Sequence, residues 1–139
     1  MDFISRLLTI LNFTKMPVLS KEQILQYFPQ IVNHVDLILV SNSHYICFKD
    51  FWTHNNLTQN IFAEYVSGIN QLNTNTEKKF VFVLFKKRTL HSINSSNGII
   101  VLEKNNIDKL FIELSYLLYS EKIYFYDDDF STIMLGQFF

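Results

Sequence analysis

The 139-residue sequence is short of several residue types on which particular structures and sites depend. Cys47 is the only cysteine, which excludes a disulfide framework and a cysteine-based zinc site within the chain. With three glycines and two prolines, the chain contains no glycine-rich phosphate loop and no low-complexity linker. No apolar run approaches the roughly 20 residues that a membrane-spanning helix needs. The sequence therefore predicts a soluble or peripheral protein with no membrane partner.

Apolar and aromatic residues are plentiful, at 48% and 16% of the chain, and this is typical of a globular protein. Alanine occurs once and lysine outnumbers arginine ten to two, whereas Phe, Ile, Asn and Tyr are frequent. This bias towards AT-rich codons indicates a gene from an AT-rich genome, such as that of a mitochondrion, a plastid, a parasite or a large virus.

The net charge of −1 conceals a basic cluster around one apolar run. Lys78-Lys79 precedes the run Phe80–Phe85, and Lys86-Lys87-Arg88 follows it. A strand with this pattern would hold cations at the rim of a sheet, where phosphates can reach them. The alternative is a pair of solvated strand ends.

The hydrophobic pattern predicts a series of helices and strands. Apolar residues on one helical face predict a helix over residues 1–12, with Leu7 and Leu8 buried. A capping box that begins at Ser20 predicts a second helix, which Pro29 should end. The other expected elements are a hairpin around Ser41-Asn42-Ser43, buried strands at Phe80–Phe85 and Ile99–Leu102, a helix capped by Asn106, and a short strand at residues 122–126. Residues 56–70 are ambiguous, because helical spacing is combined with many β-branched and aromatic residues.

Two groups of residues are candidate metal sites. Asp36 followed by Cys47-Phe48-Lys49 resembles the strand pair of restriction-endonuclease-like nucleases, in which an aspartate and an acid-x-lysine motif hold a divalent metal. Cys47 stands where the second acid belongs and a thiol is a poor Mg²⁺ ligand, so an active nuclease is not expected. Asp127-Asp128-Asp129 is expected to be a solvated acidic turn, because adjacent side chains in extended chain point to opposite sides. The sequence predicts neither an enzyme nor a cofactor.

The opening of the chain resembles a known family. The segment DFISRLLTILNFTKMPVLSKEQIL, residues 2–25, is similar to the start of the small-subunit ribosomal protein eight family of bacteria and organelles. That family begins D-x-I-x-x-L-L-T-x-I and continues with a P-x-S-K segment. Further segments resemble the family in the same order, namely YICFKDF, FAEYVSG, NGIIVLEKNN and SEKIYFY. The sequence departs from the family pattern at two places. Glu103-Lys104-Asn105 stands where the family has S-T-S, and the first glycine of the family's G-G-E motif is missing before Glu121.

The resemblance implies an α/β fold in two small lobes. Residues 1–52 would pack two helices on a short sheet, and residues 53–139 would form a mixed sheet with one main helix. It implies that residues 1–12 are the first helix of the fold, retained in the protein. It also implies that residues 57–67 form a strand instead of a helix.

The function implied is that of a structural constituent of the small ribosomal subunit, here a mitochondrial one. It would bind helical rRNA beside neighbouring ribosomal proteins, with no small-molecule substrate, and would support assembly. The expected RNA contacts are Lys21, Ser67, Lys86, Lys87, Arg88, Asn97, Lys104, Asn105, Asn106, Ser120 and Glu121. The turn Lys104–Asn106 is expected to face RNA, with Ser120 and Glu121 beside it in the same sheet.

Two other functions remain open. One is a non-catalytic, protein-binding subunit of an organellar or viral assembly. The other is a degenerate restriction-endonuclease-like protein that binds nucleic acid around Asp36 and Lys49.

Overall fold

The computed structural model describes residues 2–54, 56–74 and 77–123, and it has a mixed α/β fold. The strands are β1 (Val18–Leu19), β2 (Leu37–Val40), β3 (His44–Phe51), β4 (Lys79–Lys87) and β5 (Ile99–Lys104). The helices are α1 (Phe3–Asn12), α2 (Lys21–Tyr27), a 3-10 helix (Pro29–His34), α3 (Gln59–Leu72) and α4 (Ile107–Tyr119). The strands form one sheet in chain order, antiparallel from β1 to β3 and parallel from β3 to β5. The predicted α/β class is confirmed.

Helices cover both faces of the sheet. Helices α1 and α4 pack on one face, whereas α2, the 3-10 helix and α3 pack on the other. Strand β4 is buried on both faces, and this explains why Phe80–Phe85 is apolar throughout instead of alternating. No helix in the described part of the chain is long and apolar enough to span a membrane.

Several local predictions are confirmed because their causes lie within a few residues. The Ser20 side chain and Gln23 form the capping box that starts α2, and Pro29 begins the 3-10 helix after it. Asn106 caps α4. A helix was predicted over residues 1–12, and α1 begins at Phe3, after the Asp2 cap, and ends at Asn12. The prediction that Leu7 is buried is confirmed.

Leu8 was predicted to be buried, and this is wrong. Its side chain is 37% exposed, because α1 turns Phe3, Leu7 and Leu11 towards the sheet and Leu8 to one side.

The prediction of a strand at residues 57–67 is also wrong. Residues 59–72 form α3, which Thr58 caps by accepting a hydrogen bond from the Ile61 amide. Tyr65 and Ile69, one turn apart, bury the inner face of this helix. The helical spacing was the better signal, because α3 connects two parallel strands and such a connection needs a crossover.

The sheet is continuous across residue 52, where the sequence placed a boundary between two lobes. Strand β3, from residues 1–52, pairs along its whole length with β4, from residues 53–139. The described residues of the latter segment also form two long helices, α3 and α4, where one main helix was expected. Of the final strand predicted at residues 122–126, Lys122 and Ile123 lie in a helical turn and the rest is outside the described residues, as is Asp127-Asp128-Asp129.

Candidate functional site

Polar residues gather where the parallel strands end. Strands β3, β4 and β5 run in the same direction, so their carboxyl ends meet at one edge, which we call the carboxyl edge. There Lys86 lies opposite Phe51 on one side and Glu103 on the other. Strand β2 is antiparallel to β3, so Asp36, just before β2, lies at the same edge. Open α/β sheets usually bind their ligands at this edge.

Asp36 is shared by two lysines. Its Oδ1 atom lies 3.5 Å from Lys49 Nζ and 4.0 Å from Lys21 Nζ, and its Oδ2 atom accepts a 2.8 Å hydrogen bond from the Asp50 amide. Asp50 lines the adjoining pocket together with Asp36 and Lys49, so the two carboxylates balance the ammonium groups of Lys21 and Lys49. The structure thus brings together Asp36 and Lys49, the pair that resembles the nuclease strand pair.

Lys21 is held mainly by the protein itself. Its ammonium donates to the carbonyls of Val32 and Val35, at 2.5 and 2.6 Å, where the 3-10 helix ends. Partial burial lowers the pKa of Lys21, the nearby Lys49 lowers it further, and Asp36 opposes both effects. This predicted RNA contact therefore ties α2 to the chain before β2.

A small pocket of about 100 Å³ lies beside the Asp36–Lys49 pair. It is lined by Ile4, Asp36, Lys49, Asp50, Phe51 and His54. The Asp50 carboxylate accepts hydrogen bonds from the amides of Trp52 and Thr53, at 2.8 and 2.9 Å, and so turns the chain after β3. At about 30 Å³ per water molecule, the pocket has room for a few waters. Its two carboxylates, Asp36 and Asp50, disfavour an anion there. Sequence reasoning missed His54 and Asp50, which have no motif of their own.

Cys47 lies near the middle of β3 and is fully buried, so its thiol cannot meet a ligand from solvent. Burial raises the pKa of this thiol well above its ordinary value, which opposes formation of the thiolate that binds metals. Within residues 2–54, 56–74 and 77–123, no three His, Cys, Asp or Glu side chains are grouped so that they could hold a metal ion.

Lys86, another predicted RNA contact, is only 3% exposed. Its ammonium lies 3.3 Å from Glu103 Oε1 and donates to the Lys87 carbonyl and to Thr89 Oγ1. Glu103 also accepts a 2.7 Å hydrogen bond from the Ser92 hydroxyl. Burial raises the pKa of Glu103, but the hydrogen bonds from Ser92, Lys86 and the Ile93 amide outweigh it and lower the pKa overall. The expectation that Lys86 meets RNA is thus contradicted, because the lysine and Glu103 neutralise each other inside the fold.

Lys87 and Arg88 are the exposed cations at the end of β4. Lys87 Nζ lies 5.5 Å from the centre of the Trp52 ring, and the Arg88 amide donates to the Lys104 carbonyl. Lys104 Nζ is 2.7 Å from a Glu113 carboxylate oxygen, so most of its charge is balanced.

The turn after β5 lies at the carboxyl edge, next to the end of β4. Asn105 is exposed there. Asn106 Oδ1 accepts hydrogen bonds from the amides of Asp108 and Lys109, at 2.8 and 3.2 Å. The side chain of Asn106 is therefore committed to capping α4.

The other predicted contacts lie elsewhere. Ser67 is on the exposed face of α3, where its hydroxyl donates to carbonyls of the same helix, and Asn97 precedes β5 at the opposite edge of the sheet. Ser120 and Glu121 follow α4 and belong to no strand, so the expectation that they lie beside Asn106 in the sheet is wrong. The 13 residues of α4 separate them from Asn106 by about 20 Å, because apolar residues at helical spacing continue the helix to Tyr119.

Comparison of this chain with protein-family models, with curated proteins and with solved structures finds no match in any of the three.

Proposed function

We propose that this protein is a non-catalytic RNA-binding protein that contacts the sugar–phosphate backbone at the carboxyl edge of its sheet. The observation that carries the proposal is the position of Lys87 and Arg88, which are exposed together where β4 ends. Phosphate contacts of this kind supply most of the sequence-independent affinity for nucleic acid.

An aromatic ring accompanies the exposed cations. Trp52 lies under the ammonium of Lys87 and is partly buried against the core, so the ring is held in place. An ordered aromatic ring beside cations is a common arrangement in proteins that bind single-stranded or looped RNA, since unstacked bases pack on aromatic faces. Trp52 would therefore be the position at which an unpaired base stacks.

The RNA that we propose is small-subunit rRNA in a mitochondrial ribosome, with other ribosomal proteins as neighbours. Support for this choice comes from the residue motifs of the ribosomal family, chiefly those in residues 2–25. The helix at residues 59–72 and the position of Ser120 differ from what that resemblance implies. Co-sedimentation of the protein with small ribosomal subunits tests the choice independently of general RNA binding.

Binding to RNA is tested with two matched lysine variants. Lys87 and Lys78 each lie 5.5 Å from an aromatic ring, Trp52 and Tyr45 respectively, but they lie at opposite ends of β4. Fluorescence anisotropy with a labelled RNA hairpin is measured between 50 and 200 mM salt. Lys87→Ala should weaken binding and reduce the slope of log affinity against log salt by about 1, because one phosphate contact is lost. Lys78→Ala should change neither quantity.

Two results would contradict the proposal. One is equal loss of affinity in the Lys87 and Lys78 variants, which would indicate a diffuse electrostatic attraction without an interface. The other is affinity for the hairpin that does not depend on salt. Lys104→Ala is expected to have a smaller effect than Lys87→Ala, because Glu113 already neutralises Lys104.

A second candidate function is a DNA-binding protein with a degenerate nuclease-like site. The observation that favours it is the 3.5 Å distance between Lys49 Nζ and Asp36 Oδ1 on the β2–β3 hairpin, because the nuclease resemblance depends on these two residues. A DNA duplex of the same sequence as the RNA hairpin separates the two candidates. Tighter binding of the duplex, weakened by Lys49→Ala, would favour DNA.

A further inference from the structure

A second and larger cavity, of about 410 Å³, lies between the 3-10 helix and α3. Its apolar lining comprises Ile31, Tyr65, Ile69, Leu72 and Phe82, and its polar lining comprises Gln30, His34, Glu64 and Gln71, with Gly68 between them. None of these residues lines the pocket beside Asp36. The volume falls within the range of small-molecule sites, and an apolar lining with a few polar groups is typical of them.

Gly68 opens this cavity from the side of α3. It lies inside the helix, where glycine is among the weakest helix formers. A Cβ atom at this position would meet no atom of the described residues within 4 Å, and the backbone of Gly68 is not left-handed. Neither crowding by the described part of the chain nor backbone conformation therefore requires glycine. Gly68 is one of the residues that line the cavity.

The aromatic part of the lining is fixed in place. The Tyr65 ring meets Phe82 edge-to-face at 5.3 Å and His34 at 5.6 Å. The Tyr65 hydroxyl donates a 2.7 Å hydrogen bond to the His34 carbonyl, which ties α3 to the 3-10 helix across the cavity. Tyr65 and Phe82 are 4% and 2% exposed, so they form a rigid floor of the cavity. Binding of a flat aromatic ligand would therefore cost little entropy for ordering these rings.

The charge of the lining indicates the charge of the ligand. Among the described residues that line the cavity, Glu64 is the only carboxylate and none is a lysine or arginine. Glu64 is exposed at the rim. An anionic ligand would meet uncompensated negative charge there, whereas a ligand with a cationic nitrogen would find a partner.

We propose that this cavity binds a small planar aromatic amine of one or two rings, with its ring against the apolar lining and its ammonium at Glu64. The site is independent of the RNA surface at the carboxyl edge. It also adds a ligand class that the sequence did not predict.

Three naphthalene compounds of matched shape test the ligand class: 2-naphthylmethylamine, 2-naphthalenemethanol and 2-naphthoate. Each is titrated into the full chain while the backbone amide signals are followed by nuclear magnetic resonance. The amine should bind at least about tenfold more tightly than the carboxylate, with shifts concentrated at Glu64, Gly68 and Ile69. Glu64→Gln should remove the preference for the amine over the alcohol. Absence of binding by all three compounds, or equal binding of amine and carboxylate, would overturn the proposal.

The position of the site is tested with two leucine variants on the same helix. Gly68→Leu places a side chain in the cavity and should abolish binding of the amine. Ala63→Leu is the control, because Ala63 is exposed on α3 and does not line the cavity. Circular dichroism should show both variants folded, since leucine is a strong helix former at either position. Unchanged binding in Gly68→Leu would place the site elsewhere and contradict the proposal.

Discussion

Removal of Glu103 from its ion pair with Lys86 should destabilise the fold strongly. Their side chains are 4% and 11% exposed, and the ammonium and carboxylate lie 3.3 Å apart. Glu103→Ala would leave the Lys86 ammonium buried with only two neutral acceptors, the Lys87 carbonyl and Thr89 Oγ1. Removing one partner of a buried pair costs about 3–5 kcal/mol, because the other charge stays desolvated. We expect the lower end, about 3 kcal/mol, since these two acceptors remain.

Removal of the lysine instead of the glutamate should lower the free energy of unfolding by less. Lys86→Met leaves the Glu103 carboxylate with its hydrogen bonds from the Ser92 hydroxyl and the Ile93 amide, and it replaces a buried ammonium with an apolar side chain of similar length. We expect a loss of about 1–2 kcal/mol. The double variant should be less destabilised than the sum of the single variants, because neither charge is then left alone.

Urea denaturation at neutral pH measures these free energies of unfolding, with an unchanged slope against denaturant showing that the variants remain two-state. A loss of about 3 kcal/mol corresponds to a fall in melting temperature of about 10 °C for a chain of this length. Strict additivity of the two substitutions, or a cost below about 1 kcal/mol for Glu103→Ala, would refute the reasoning. RNA affinity should be unchanged in Lys86→Met, in contrast to Lys87→Ala.

The pH dependence provides an independent check. The pKa of Glu103 is lower in the folded protein than its ordinary value of 4.5. A carboxyl with a depressed folded pKa stabilises the fold above its unfolded pKa, and this stabilisation is lost as the pH falls through the folded pKa. The difference in unfolding free energy between the wild type and Glu103→Ala should therefore be constant from about pH 6 to 8 and should shrink below about pH 4.

Three further predictions follow from individual contacts. Leu7→Ala should lower the free energy of unfolding by about 2–5 kcal/mol, because Leu7 is fully buried. Leu8→Ala should lower it by well under half of that. Equal losses of the two variants in urea denaturation would mean that α1 packs differently. Tyr65→Phe should cost about 1–2 kcal/mol through the lost hydrogen bond to the His34 carbonyl, and an unchanged midpoint of thermal unfolding would contradict it. No cleavage of DNA or RNA is expected with Mg²⁺ or Mn²⁺; metal-dependent cleavage that disappears in Asp36→Ala would prove this wrong.

The sequence alone determined the elements whose causes are local. The Ser20 capping box, the Asn106 cap and the apolar run Phe80–Phe85 each depend on neighbours within a few positions, so their signals are complete in a short window. The Asp36–Lys49 pair was also within reach of the sequence, because a hairpin brings nearby strands into a predictable register. In the ambiguous segment 56–70, the spacing of apolar residues predicted helix α3 better than the family resemblance did.

Only the tertiary structure decided which charges are available for binding. Lys86 and Lys87 are adjacent in a basic run, yet Lys86 turns inwards to Glu103 and Lys87 remains exposed, because successive residues of a strand point to opposite faces. The sequence shows the alternation but not which face will be covered, since that depends on how residues distant in the chain pack together. The open space beside Gly68 also depends on residues that are distant in the chain. It forms where α3 packs against the 3-10 helix, which lies about 30 residues earlier. A glycine in a helix is visible in the sequence, but the cavity that it opens exists only where two distant segments meet.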